Sequence, residues 1–158
     1  MSEVRTWDQG RAEVDALLSD GKLQRIPASR EHAADLMMVA RQHVLSAREI
    51  LGNDLEGAYG LVYDAIRKGM TAYLGVQGLR PTQSGGHVVL AEAARAQLVP
   101  PLANLVNTFD RLRRQRNLVE YPSIGHEELT PVEVEDDDDT VEEALDQIDK
   151  LLGVLPVF

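Results

Sequence analysis

Apolar residues recur every three or four positions along almost the whole chain, the period of helices that bury one face. Val14, Leu17 and Leu18 predict a first helix over about 8–19, with Gly21 just past its end. Pro27 breaks the chain and Ser29 caps a second helix, about 30–51, with Ala33, Leu36, Met37, Ala40, Val44, Ala47 and Leu51 inward. Asn53 and Asp54 turn into a third, about 55–76, carrying Ala58, Val62, Ala65, Ile66, Gly69, Met70 and Tyr73. Two long helices joined by so short a turn are expected to pack as an antiparallel hairpin.

Residues 78–86 read as a loop on their glycines and proline. A fourth helix begins near His87 with Val88, Leu90, Ala91, Ala94 and Leu98 inward, and Pro100-Pro101 separates it from a fifth that runs to about Val119. Residues 122–139 read as an acidic loop. Thr140 and Glu143 then form a capping box for a last helix over about 141–152, with the aspartates 136–139 just ahead of it, where the helix dipole favours negative charge. No strand and no internal repeat is evident. The expectation is an all-α antiparallel bundle of five to six helices: a body over 1–121, an acidic loop over 122–139, and a C-terminal helix in 140–158 packed on the same domain.

Charge changes the picture by being segregated. After Tyr121 there are twelve acidic residues and one basic one, Lys150, a net of −11, so residues 1–121 carry +1. The overall charge of −10 is therefore no argument against a nucleic-acid partner. The chain has no cysteine, which excludes disulfides, thiolate metal sites and thiol nucleophiles. Met1–Arg5 leads into a polar stretch, and no run approaches the ~20 apolar residues of a membrane span. A cytoplasmic protein with no membrane association is expected.

The candidate chemistry centres on 111–121. Leu105, Phe109, Leu112 and Val119 share one helical stripe, and Arg116 lies in its middle. A guanidinium does not deprotonate in proteins, so on an apolar stripe it needs a partner or an anionic ligand. Arg111, Arg113 and Arg114 complete a cluster that is a candidate nucleic-acid-binding surface. Cations near a helix C-terminus are favourable by themselves, which explains their number but not the placement of Arg116.

Other signals weigh less. His32, His43, His87 and His126 show no metal-ligand spacing, and no phosphate-binding loop motif occurs, so no metal and no cofactor is expected. Gly85-Gly86 before a helix fits a simple turn better than a phosphate cradle. Asp136–Asp139 lacks the pattern of a calcium loop and reads as a solvated capping linker; the weaker reading lays it over the arginines in competition with nucleic acid. Asp64 and Lys68 read as a surface i,i+4 pair, and Tyr59, Tyr63 and Tyr73 as core.

Ala58–Lys68, followed by Gly85-Gly86-His87, Arg113-Arg114-Gln115-Arg116-Asn117 and Glu120-Tyr121-Pro122, resembles in order and spacing the HEPN family of small helical proteins over roughly 30–122. The resemblance implies a dimer and, at the dimer cleft of nuclease members, a metal-independent RNase site of arginine, a polar neighbour and histidine. Carried over, Arg116 would grip the scissile phosphate, Asn117 would orient the site, and Tyr121 stands where histidine is usual. An unperturbed tyrosine titrates near ~10 and is a poor base at neutral pH. The resemblance thus implies an RNA- or nucleotide-binding protein of a toxin–antitoxin or defence module, as a weak or inactive RNase or the partner of a nucleotidyltransferase. The alternative is a helical dimerisation module in which Arg116 meets a carboxylate such as Asp64 or Glu120.

Overall fold

Ser29 and Asp54 set the frame of the computed structural model, which describes residues 8–125 and 127–158. Both residues are extended, and their side chains accept the backbone N–H groups of His32 (3.0 Å) and Gly57 (2.9 Å), so each starts a helix in the predicted place. After α1 (Arg11–Ser19) and a short strand β1 (Leu23–Arg25) come α2 (Arg30–Ile50) and α3 (Leu55–Gly75), paired as the expected hairpin. The order then continues β2 (Leu79–Pro81), α4 (Gly86–Leu98), α5 (Ala103–Glu120) and α6 (Pro131–Leu152). The architecture is an all-α bundle with a minimal sheet.

α3 is the central helix. It packs against α2, α4, α5 and α6, and twelve of its 21 residues are buried. Gly69 is what lets α6 close on it, since a Cβ there would stand 2.9 Å from both Leu145 Cδ2 and Ile148 Cδ1. α2 supplies Met37, Ala40, Val44 and Ala47, and α6 supplies Val134, Val141, Leu145 and Ile148. On the opposite side α5 adds Leu105, Val106, Phe109 and Leu112, while α4 buries Leu90 and Leu98. Val88, expected inward, is exposed, and Val89 takes its place in the core. Tyr59, Tyr63 and Tyr73 are core residues as expected.

Two expectations are corrected. The last helix begins at Pro131, ten residues earlier than Val141. Thr130, not Thr140, caps it: Thr130 Oγ1 accepts the Glu133 N–H at 3.3 Å, and Glu133 Oε2 accepts the Thr130 N–H at 2.9 Å. Thr140 lies mid-helix with its hydroxyl donating to the Asp136 carbonyl at 2.9 Å. The aspartates 136–139 are therefore helical, and the acidic loop shrinks to 121–130. Poor helix formers are overridden here by the burial of Val134 and Val141 and by ion pairs from Arg111 and Arg48 to Asp137 (2.8 Å) and Asp138 (2.6 Å).

The second correction is the sheet. β1 and β2 pair antiparallel, Leu23 opposite Pro81 and Arg25 opposite Leu79, with β2 inside the segment 78–86 that reads as loop. Strands of three residues are too short to show a period of two. The ladder extends through Ile26 N–H to the Gly78 carbonyl (2.9 Å) and Thr82 N–H to the Lys22 carbonyl (2.9 Å). Beyond α6, Phe158 donates its N–H to the Gln77 carbonyl, and its ring lies 4.9 Å from the Arg11 guanidinium and 5.5 Å from that of Arg25. Among the described residues no helix is long and apolar enough to cross a membrane. Met1–Arg5 and His126 lie outside the described residues.

Candidate functional site

Arg116 sits where the apolar stripe of α5 reaches solvent. Leu105, Phe109 and Leu112 are buried and Val119 is half-buried, but the Arg116 side chain keeps 36% of its surface exposed. Its guanidinium pairs with Glu120 Oε2 one turn on, at 2.8 Å, and lies 5.5 Å from the centroid of the Tyr63 ring. The partner its placement demanded is thus a carboxylate on one side and an aromatic face on the other.

Tyr63 links this arginine to a histidine from another helix. Its ring stacks on Phe109, with centroids 6.2 Å apart, and its hydroxyl lies 2.6 Å from His87 Nδ1 at the start of α4. Burial pushes the phenol up to about 12, against the pull of Arg116, Arg67 and Arg113, so it stays protonated. His87 is shifted the other way: burial first, then the nearby charges of Arg67 and Arg116, hold the imidazole below its ordinary range and keep it neutral. Glycine before it is a packing requirement, because a Cβ on Gly85 would fall 2.3 Å from the Lys22 carbonyl oxygen. That agrees with the turn reading of Gly85-Gly86.

Asp64 anchors the cations beside this couple. Arg67 Nε donates to its Oδ1 at 2.9 Å, Lys68 Nζ reaches Oδ2, and His43 Nε2 from α2 lies 3.1 Å from Oδ2. Burial alone would raise this carboxyl, but hydrogen bonds from Lys68 and Arg67 outweigh it and hold the group below the usual carboxylate range. The Asp64–Lys68 pair is therefore half-buried and part of a network, not the isolated surface pair expected from spacing.

The arginine cluster divides. Arg113 pairs with Asp110 at 2.8 Å on the His87 side and is largely covered, while Arg114 meets the other oxygen of Asp110 at 2.9 Å and is exposed. Arg111 points the opposite way, to Asp137 of α6 at 2.8 Å. The acidic run thus does reach the arginines, at this one member. Asn117 is exposed, and Tyr121 is 74% exposed at the end of α5, its N–H bonded to the Asn117 carbonyl. Among the described residues no hydrogen bond, ion pair or ring contact joins Tyr121 to Arg116. The structure brings Arg116 together with Tyr63, His87, Arg67 and Arg113, and leaves Asn117 and Tyr121 in solvent.

Sequence reading placed Tyr63 in the core and gave no site role to Tyr63, Arg67 or His87. Tyr63 and Arg67 are four apart on α3 and share a face, which was a usable signal. The approach of His87 to them is a long-range contact, which local patterning does not reveal.

A groove of about 600 Å³ lies elsewhere, between the end of α5 and the start of α6. Among the described residues its wall carries Glu127, Glu128, Glu133, Asp136 and Asp137 against one cation, Arg111, which Asp137 already holds. That potential repels phosphate. The face around His87 differs: Arg67, Arg113 and Arg116 act on its ring, paired with Asp64, Asp110 and Glu120 in turn. Three guanidinium groups thus stand about a neutral imidazole. Among the described residues no three His, Cys, Asp or Glu side chains are grouped to hold a metal ion. Comparison of the chain with protein-family models, with curated proteins and with solved structures finds no match to any of them.

Proposed function

We propose that this chain is a HEPN-like RNA- or nucleotide-binding protein whose phosphate site is the face formed by Arg67, Arg113 and Arg116 around the Tyr63–His87 couple. The carrying observation is the convergence of these arginines, from α3 and α5, on one hydrogen-bonded tyrosine–histidine pair. Planar guanidinium groups match phosphate oxygens in pairs. Arg111, held by Asp137, belongs to the other side of α5 and contributes little to this face. A homodimer with a shared cleft, cytoplasmic location, and pairing with a nucleotidyltransferase in a toxin–antitoxin or defence module complete the reading.

The test is anisotropy of a labelled single-stranded RNA in EDTA, with the same samples run on a denaturing gel. Wild type is expected to bind, and Arg116→Ala and Arg67→Ala to lose most of that affinity while keeping wild-type helical content. Binding unchanged in both variants would refute the site. Cleavage lost in Arg116→Ala would add a metal-independent RNase activity to the binding.

One observation favours a second reading. Arg116 is satisfied within its own chain by Glu120 and Tyr63, as it would be in a helical interaction module with no nucleic-acid role. On that reading Arg116→Ala melts or monomerises the protein, and a folded variant with unchanged oligomeric state counts against it.

A further inference from the structure

The Tyr63–His87 bond has a direction, and that direction determines what the imidazole can offer. Tyr63 is 2% exposed, and His87 Nδ1 is the hydrogen-bond partner of its hydroxyl. If Nδ1 carried the proton, the phenol hydrogen would be left buried and unpaired, at a cost of about 1–3 kcal/mol. The phenol is therefore the donor and Nδ1 the acceptor, and the proton of the neutral ring sits on Nε2. The two ring nitrogens lie on opposite sides of the imidazole. With Nδ1 turned to Tyr63, Nε2–H is directed away from it, on a residue that is exposed to solvent.

We infer that His87 is a phosphate-binding residue of this face, offering Nε2–H as a fixed donor to an RNA or nucleotide phosphate, and that the site binds this anion without abstracting a proton from it. The inference rests on the reading of the face as a phosphate site. A neutral donor is what the surroundings call for. Arg67 and Asp64 on α3 and Arg113 and Arg116 on α5 act on this ring, and an imidazolium among three arginines would add a repelling charge. A neutral ring adds a hydrogen bond instead. Nε2 is already protonated and Nδ1 already occupied, so neither nitrogen has a free lone pair to serve as a general base. This also separates His87 from the role that Tyr121 inherits by position: it supplies affinity, not acid–base chemistry.

Two measurements test the inference. Long-range proton–nitrogen spectra of the ¹⁵N-labelled protein at neutral pH read the tautomer directly, and the Nε2–H form is expected for His87. Anisotropy with a labelled oligouridylate then compares His87→Ala with His87→Gln, whose amide nitrogen can stand near the position of Nε2. Alanine is expected to weaken binding about tenfold, the loss of one hydrogen bond to a charged group, and glutamine to stay within about threefold of wild type. An Nδ1–H tautomer, a glutamine variant as weak as alanine, or an alanine variant equal to wild type overturns the inference. Loss of binding in Arg116→Ala together with no loss in His87→Ala would do so while leaving the phosphate face standing. A wild-type protein that binds neither oligouridylate nor inorganic phosphate overturns both.

Discussion

Replacing Thr130 and Thr140 one at a time by alanine distinguishes the observed start of α6 from the start that its second capping-box pattern suggests. Thr130 Oγ1 accepts from Glu133 N–H, and Glu133 returns a hydrogen bond to the Thr130 N–H, so the reciprocal cap satisfies two otherwise orphaned donors. Losing the threonine half costs about 1 kcal/mol. Thr140 caps nothing. Its hydroxyl donates back to the Asp136 carbonyl inside the helix, a bond that contributes little, and alanine is the better helix former by up to ~0.7 kcal/mol. Thr140→Ala is therefore expected to be neutral or stabilising by about 0.5 kcal/mol. In urea unfolding followed by far-ultraviolet circular dichroism, with a slope of about 2 kcal/mol/M, Thr130→Ala lowers the midpoint by roughly 0.5 M and Thr140→Ala leaves it level or raises it. Thermal scans should show a fall of about 2–4 °C for the first variant alone. A Thr140→Ala loss equal to that of Thr130→Ala would refute the placement of the aspartates 136–139 inside the helix, and with it the Asp137–Arg111 pairing.

Phe109→Ala removes a fully buried ring that stacks on Tyr63, and is expected to cost about 3–5 kcal/mol in the same urea assay. Arg48→Met strands the buried Asp138 carboxylate, whose Oδ1 already has no partner, at a cost of about 1–3 kcal/mol; adding Asp138→Leu should recover most of it, because an apolar pair replaces a desolvated charge. Acid should act in two steps. His87 titrates below its ordinary 6.5, so its contribution is present above that value and is lost as pH falls through the lower folded value. Asp64 and Asp110, both held below 3.8, contribute stability above that value that is lost as pH falls further. Burial raises Asp138 instead, so its contribution opposes the second step by growing as pH falls. His87→Gln should flatten the first step in midpoint-against-pH measurements, and an unchanged first step would refute its assignment.

The sequence carried the helices well because their signals are local and redundant. Ser29 caps where it was expected to, Asp54 in the expected turn caps α3, and the inward positions of α2 and α3 follow the spacing. The start of α6 was misread because two threonine–glutamate boxes stand ten residues apart, and the four aspartates between them carry low helix propensity. Tertiary contacts, the burial of Val134 and Val141 and the ion pairs from Arg48 of α2 and Arg111 of α5, reverse that preference. The site was legible in part. Arg116 was singled out because a charge on an apolar stripe is anomalous, but Tyr63, whose ring it faces, and His87, bonded to Tyr63, come from elements more than twenty residues distant in sequence. Asn117 and Tyr121, placed with it by order along the chain, end in solvent because the core stops short of the last turn of α5.

The small ladder between β1 and β2 ties the two ends of the α2–α3 hairpin together, and this imposes an order on local opening. The hairpin closes through a four-residue turn, whereas the ladder needs both hairpin ends already in place, so the ladder can open while the hairpin persists but cannot outlive it. Thr82, one step beyond β2, bonds through its N–H to Lys22 and through its hydroxyl to Gly21, and the chain from there leads directly into His87. Opening of the ladder therefore frees the segment that leads into α4. The proposed phosphate face adjoins that segment, and its occupancy is expected to be linked to the same equilibrium. A bound anion should slow hydrogen exchange at the amides of Ile26 and Thr82, on a surface that the anion itself never touches.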